Sequence, residues 1–210
     1  MKILESRPHG NGHMYVYLCG IKIMSYKPEQ FVNGENNIID IPKNAAFKIN
    51  IVGNNNKITM APTTYNPHAT IKIGTGGATH NCEIKIGKNL HIGSLEFVTP
   101  IQEDGMKIEI GDDCMFSVGI KFLPSDSHAI FDETDHVRNI GKFIKIGNHV
   151  WLGANVTICK NTEIADGCIV GTGAVVSGKF TEPNCIIAGN PARVVRHNIR
   201  WDTRLPKEFL

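Results

Sequence analysis

The sequence predicts an all-β fold built as a solenoid of short parallel strands, and three observations predict it. Every sixth residue from Ile146 is aliphatic: Ile146, Leu152, Ile158, Ile164, Val170 and Val176. The residue after each is small: Gly147, Gly153, Cys159, Ala165, Gly171 and Ser177. Two residues before each, Ile144, Val150, Val156, Cys168 and Ala174 are apolar, with Thr162 the exception. A helix returns apolar residues about every 3.6 positions and a long strand every second, so a strict six fits neither as one element. It fits very short strands joined by tight corners and stacked so that neighbouring coils share one aliphatic core.

Residues 1–32 lie outside the repeat. The stretch from His13 to Lys27 reads as a strand or hairpin, with aromatic and β-branched residues around Gly20. The solenoid is expected over 33–190, with Asn and Gly clusters supplying its early corners. Its register sharpens at Ile73-Gly74, Ile86-Gly87, Ile92-Gly93 and Val98, then continues at Ile110-Gly111, Phe116-Ser117 and Phe122. The step from 73 to 86 exceeds two hexads by one residue, which predicts a bulged corner. Between Val98 and Ile110 the inward slot falls on Asp104, which cannot sit unpaired in a core, so Pro100–Met106 is expected to distort outward. Residues 123–143 show no hexad and carry two His, one Arg, one Glu and three Asp. So long an interruption of a regular solenoid predicts a protruding functional loop. For 191–210 the expectation is a helical cap. Asn190 would cap it, Pro191 would open its first turn, and a short basic helix from Ala192 to about Arg200 would cover the open end.

The 210 residues suit one domain with a substantial core, and 21 glycines suit a turn-dense fold. A formal net charge of +2 gives no reason to expect nucleic acid or an anionic membrane as partner. No apolar run long enough for a transmembrane helix occurs, and the N-terminal stretch lacks the pattern of a signal peptide. Six cysteines without a C-x-x-C pair read as reduced thiols of a cytoplasmic protein. No metal set is evident.

The hexads occur together with His128 in Ser125-Asp126-Ser127-His128, and with Trp151 in Asn148-His149-Val150-Trp151-Leu152-Gly153, 23 residues further on. This combination resembles the hexapeptide-repeat acyltransferases, closest to the branch that O-acetylates sugars and capsular polysaccharides. The match is specific over about 70–200 and loose over 1–70. The resemblance implies a left-handed parallel β-helix with three hexads per triangular coil, an exception to the right-handed crossover rule. It implies acetyl-CoA as co-substrate and a sugar hydroxyl as acceptor, in a bacterial surface polysaccharide or its precursor. His128 would be the general base that takes the acceptor's proton. Family members are usually homotrimers with each active site between neighbouring prisms. The resemblance lays the acetyl-CoA arm along Gly153, Ala154, Gly171, Thr172 and Ser177, mostly on backbone groups, and offers Lys160, Lys179, Arg193 and Arg196 to the phosphates. The segment Ser177–Pro183 is about one residue longer than the usual form, which leaves the placement of Lys179 open.

The residues support several of these roles on their own chemistry. An unperturbed imidazole titrates near neutrality, at about pH 6.5, which suits general-base work. Asp126 and Asp132 are both candidates to hold the far ring nitrogen of His128, and a backbone carbonyl would serve equally. The Ser-Asp-Ser run also makes a capped turn by itself. Trp151 precedes the inward Leu152, so alternation turns it outward, where it can pack on the acceptor or the pantetheine arm. His136 and His149 read as structural or surface residues, although His149 sits near enough to Trp151 to touch a ligand. An acyl-enzyme on Cys114 is conceivable but unmarked. Other readings of the solenoid are a small-molecule acetyltransferase acting on an antibiotic or serine, a γ-class carbonic anhydrase, and a non-catalytic solenoid. A γ-class carbonic anhydrase needs three zinc-binding histidines, and no H-x-x-x-x-H occurs. A non-catalytic solenoid would show a Thr ladder, which is not present.

Overall fold

The computed structural model describes residues 4–8, 14–18, 21–26, 30–74 and 76–210. Leu4–Pro8, Met14–Leu18 and Ile21–Tyr26 form a three-stranded antiparallel sheet. From Gln30 onward the chain winds as a left-handed parallel β-helix with three faces. The first face stacks Gln30–Asn33, Ala46–Val52, His68–Ile73, Leu95–Phe97, Ile120–Leu123, Thr157–Cys159 and Val175–Val176. The second stacks Ile38–Asp40, Lys57–Met60, Glu83–Ile86, Lys107–Ile110, Phe143–Ile146, Thr162–Ile164 and Lys179–Phe180. The third begins later, with His91–Ile92, Met115–Phe116, Trp151–Leu152, Ile169–Val170 and Ile186–Gly189, and ends on Ala192–Arg196.

The repeat becomes structure through register. Phe116 pairs with Leu152, Leu152 with Val170 and Val170 with Ile187. Phe122, Ile158 and Val176 form the matching column on the first face, and Ile110, Ile146 and Ile164 that on the second. All these side chains are buried. Thr162, the polar exception in the repeat, is also fully buried, and its hydroxyl donates to Val176 O at 3.2 Å. One shared hydrogen bond lets it occupy an apolar slot.

Two expectations need correction. The inward residue after Ile92 is Phe97, 1% exposed, while Val98 is 43% exposed. This places Leu95 and Phe97 beneath Ile120 and Phe122, so the coil is shortened there by one residue. The corner that follows buries Ile101 and turns Asp104 outward, where its carboxylate accepts the backbone N–H of His80. At the far end, Ala192–Arg196 is a strand rather than a helix, and it runs antiparallel to Ile186–Gly189. A hairpin meets the exposed edge with ladder hydrogen bonds that a helix lying across it would not supply. The helical element described is a single 3-10 turn at Pro206–Phe209.

Corners are made by residues that tolerate a left-handed backbone. Between the second and third faces, successive coils place Asn89, Asp113, His149, Gly167 and Asn184 there, all with positive φ. His149 is the unusual member, and its ring has a partner that accounts for it below.

Candidate active site

The loop carrying His128 leaves the edge between the first and second faces, after Leu123, and returns at Phe143. Its base is anchored. Buried Ser125 donates to Glu103 Oε1 at 2.9 Å and accepts the N–H of Ser127 at 3.1 Å, and its carbonyl accepts the Thr99 hydroxyl at 2.8 Å. Asn139 bridges the two arms, donating to Asp126 Oδ2 and to the His128 carbonyl, both at 2.8 Å. Further out, Asp132 accepts from the Thr134 amide and hydroxyl and the His136 amide, which closes the tip. The His128 ring is exposed, beside a cleft of about 370 Å³. Glu103, Gln102, Ser127, Asn139 and the Gly76–Thr79 segment share its wall.

Neither candidate carboxylate meets the His128 ring. Asp126 is ion-paired with Lys160, and these contacts with Lys160 and Asn139 hold its carboxyl below the usual carboxylate range. Asp132 is spent on the loop tip, where hydrogen bonds from Thr134 and the His136 amide lower it likewise. Asp126 is therefore a clamp that ties the start of the loop to the next coil. Sequence reasoning passed over Glu103. One of its carboxylate oxygens, Oε2, is buried without a partner among the described residues, close to Gly141. A buried acceptor left open is costly, so such an atom marks a place where a donor belongs. The sequence signal was the acidic Glu103-Asp104 pair in a distorted corner. Only Asp104 drew attention, because it fell on the inward slot.

Trp151 lies elsewhere. It is half-buried on the outer side of the third face, next to Met115, and turns outward as alternation requires. Its indole ring is 5.9 Å from that of Trp201, and the His149 ring stacks on Trp201 at 4.0 Å. The Trp201 indole donates to His149 O at 3.0 Å. His149 thus holds a structural aromatic contact with the C-terminal tail. In a three-sided prism the edge between the first and second faces is opposite the third face. His128 and Trp151 of one chain consequently point away from each other, and Trp151 does not line the cleft.

The residues expected along acetyl-CoA fall into three groups. Gly153, Ala154, Gly171 and Thr172 stack on the corner from the third to the first face. The N–H groups of Gly153 and Gly171 are already used between coils, to Val170 O and Ile187 O at 2.8 Å each. The exposed Thr172 and the Ala154 surface remain open to a ligand. Ser177 and Lys179 lie at and just past the corner below the loop, and Lys179 reaches over the Phe143 ring. Arg193 and Arg196 are exposed on the capping strand. Lys160 leaves this set, because it is largely covered and its charge is neutralised by Asp126.

Among the described residues burial raises every thiol, so none is marked as a nucleophile. Burial pushes Cys114 up to about 12, far from the thiolate needed for an acyl-enzyme. The five cysteines among the described residues are free. Among the described residues no helix is long and apolar enough to cross a membrane.

Comparison with known proteins agrees with this architecture. The family model described as bacterial transferase hexapeptide (six repeats) matches residues 143–178. A polysialic acid O-acetyltransferase of Neisseria meningitidis is 33% identical over 195 residues, covering 84% of this chain and 89% of that relative. A polysialic acid O-acetyltransferase of Escherichia coli O1:K1 / APEC is 35% identical over 126 residues, 59% of this chain and 39% of the relative. Among solved structures, the polySia-specific acetyltransferase NeuO superposes with a TM-score of 0.61 at 27% identity, over 83% of this chain and 88% of that one. The polysialic acid O-acetyltransferase OatWY gives 0.58 at 30%, over 82% and 90%. The chain belongs to the hexapeptide-repeat acetyltransferases, within the branch of sugar and capsular polysaccharide O-acetyltransferases.

Proposed function

We propose that this protein transfers acetyl from acetyl-CoA to a hydroxyl of a sialic acid-type or related surface polysaccharide, with His128 as general base. The observation that carries the reading is the exposed His128 imidazole beside a cleft whose wall Glu103 lines. The full-length relative and the two superposed enzymes act on polysialic acid, which makes that polymer the first acceptor to try.

When bound, acetyl-CoA supplies an activated thioester, and the chain's own groups do the rest. The Glu103 carboxylate on the cleft wall accepts a hydrogen bond from the sugar and so orients it. The His128 ring accepts the proton of the attacking hydroxyl as the new C–O bond forms. It returns that proton to the departing sulfur as the C–S bond breaks. Asn139 and the Asp126–Lys160 pair keep the histidine backbone in place.

The opposed placement of His128 and Trp151 supports a homotrimer in which the loop of one subunit faces the third face of the next. The loop also exposes Ile130, Phe131, Val137 and Ile140, an apolar surface that an adjoining subunit would cover. In that arrangement Trp151, Thr172 and the exposed Arg193 and Arg196 come from the neighbour and line the acetyl-CoA channel. The unbridged thiols support a cytoplasmic location.

The test is release of free CoA thiol from acetyl-CoA, with wild type and His128→Ala, against polysialic acid, sialic acid, other capsular oligosaccharides, serine and chloramphenicol. The expected result is turnover with a sialic acid polymer, lowered at least about 100-fold in His128→Ala. Turnover confined to a non-sugar acceptor would overturn the substrate assignment, and an unimpaired mutant would overturn the base.

A further inference from the structure

A second cluster of reactive side chains lies on the last coil of the solenoid, away from the His128 cleft and two strands beyond Trp151 on the third face. Glu182 and Cys185 flank the last corner between the second and third faces, and His197 directly follows the capping strand Ala192–Arg196. His197 Nδ1 is 2.8 Å from Glu182 Oε1 and 3.8 Å from Cys185 Sγ. The three donor atoms all lie within 4.8 Å of one another. From this convergence we propose that Glu182, Cys185 and His197 form a binding site for a thiophilic divalent cation, zinc foremost. The cation would fasten the capping hairpin to the last coil.

The placement of Cys185 is what an ordinary surface ion pair does not explain. An exposed His–Glu pair by itself contributes little. Cys185 occupies the same inward corner slot as Leu90, Cys114, Val150 and Cys168 in the coils before it. Cys114 in that column meets only backbone carbonyls and an amide. Among the described cysteines Cys185 alone has both an imidazole and a carboxylate beside its sulfur, and its other contact is a long one to Pro183 O at 3.5 Å.

The donor set also suits the ion. Thiolate, imidazole and carboxylate together favour zinc over magnesium or calcium, which take oxygen ligands. The Glu182-x-x-Cys185 spacing matches the two-residue gap common in zinc sites. With zinc bonds of about 2.0–2.3 Å, the ligand atoms of a tetrahedral site stand about 3.3–3.6 Å apart. The carboxylate and imidazole must therefore separate slightly and the sulfur close in slightly. Both moving groups, Glu182 and His197, are exposed side chains at 55% each, free to adjust. Binding converts the Cys185 thiol to a metal thiolate and releases its proton to solvent, and water completes the fourth position. The coordination would tie a corner of the last coil to the segment that leaves the cap, closing a loop of the chain at its most exposed end.

Zinc binding is read without acetyl transfer, so its test does not rest on the proposed activity. The probes are zinc and, as a spectroscopic substitute, cobalt, added to the tag-free full chain after chelator treatment. Expected are one zinc per chain by calorimetry, a melting temperature that rises with free zinc, and a near-ultraviolet thiolate-to-cobalt band. Cys185→Ser should abolish the band, and the exposed His197→Ala, which leaves the core intact, should weaken zinc more than about 100-fold. Absence of stoichiometric zinc binding by the wild type, or binding retained by both variants, overturns the proposal.

Discussion

If each active site is assembled between subunits, two inactive mutants should restore each other. His128 projects from the edge between the first and second faces, and Trp151 from the face opposite that edge. No rotation of a side chain bridges that separation, so a site using both must take them from different chains. Let His128→Ala and Trp151→Ala subunits be unfolded together at equal amounts, refolded and allowed to assemble at random. A site is intact only when its loop comes from a Trp151→Ala subunit and its third face from a His128→Ala subunit. Each condition holds for half of the positions, so about a quarter of wild-type activity should return. A site contained within one subunit predicts none, since every chain then carries a defect. The assay is CoA thiol release with the responding acceptor, with each parent refolded alone as control and mixed assembly verified by native mass spectrometry. Activity no higher than the parents in verified mixed trimers would falsify the shared site.

Two further outcomes follow from the loop and its clamp. Glu103→Gln keeps an oxygen for the Ser125 hydroxyl but removes the carboxylate's charge from the cleft wall, which weakens its hydrogen bond to the sugar. Acceptor KM should rise about tenfold with acetyl-CoA KM unchanged, and an unchanged acceptor KM would remove Glu103 from the sugar site. The Asp126 carboxyl is depressed in the folded chain, so its contribution is complete above the unfolded value of about 3.9 and fades as pH falls through the lower folded value. Hydrogen exchange should show the loop base protected at pH 6 and loosening only below about pH 4 in the wild type, while Asp126→Asn loosens it already at pH 6. Equal protection in the two proteins at pH 6 would show that the clamp does not hold the loop.

Much of this fold was legible because a solenoid writes its packing rule into the sequence once per coil. Ile146, Leu152, Ile158, Ile164, Val170 and Val176 are all buried because each coil repeats the environment of the one below. Where the rule breaks, counting fails. Val98 was expected inward because the count from Ile92 was kept at six, but the coil is a residue short and Phe97 fills the space. The C-terminal cap was misread for a related reason. Asn190-Pro191 is a legitimate helix start in local terms, yet the open edge of Ile186–Gly189 offers ladder hydrogen bonds to Val194 and its neighbours, and long-range pairing overrides the local signal.

The site was legible in its residue types and not in its partners. His128 and Trp151 stand out as a loop histidine and a tryptophan in a slot that alternation turns outward. That they belong to opposite sides of one prism is a property of how the coils close, which linear spacing does not carry. The same limit governs Asp126. Its closeness to His128 in sequence suggested that it orients the ring, but the folded neighbour it meets is Lys160, brought beneath it from the next coil. Both errors have one physical origin. In a stacked solenoid the contacts that matter run between coils, so a residue near His128 in sequence is less informative than one a coil away. Glu103 makes the point directly: it lies 25 residues before His128, one coil earlier, and it is the carboxylate that shares the cleft.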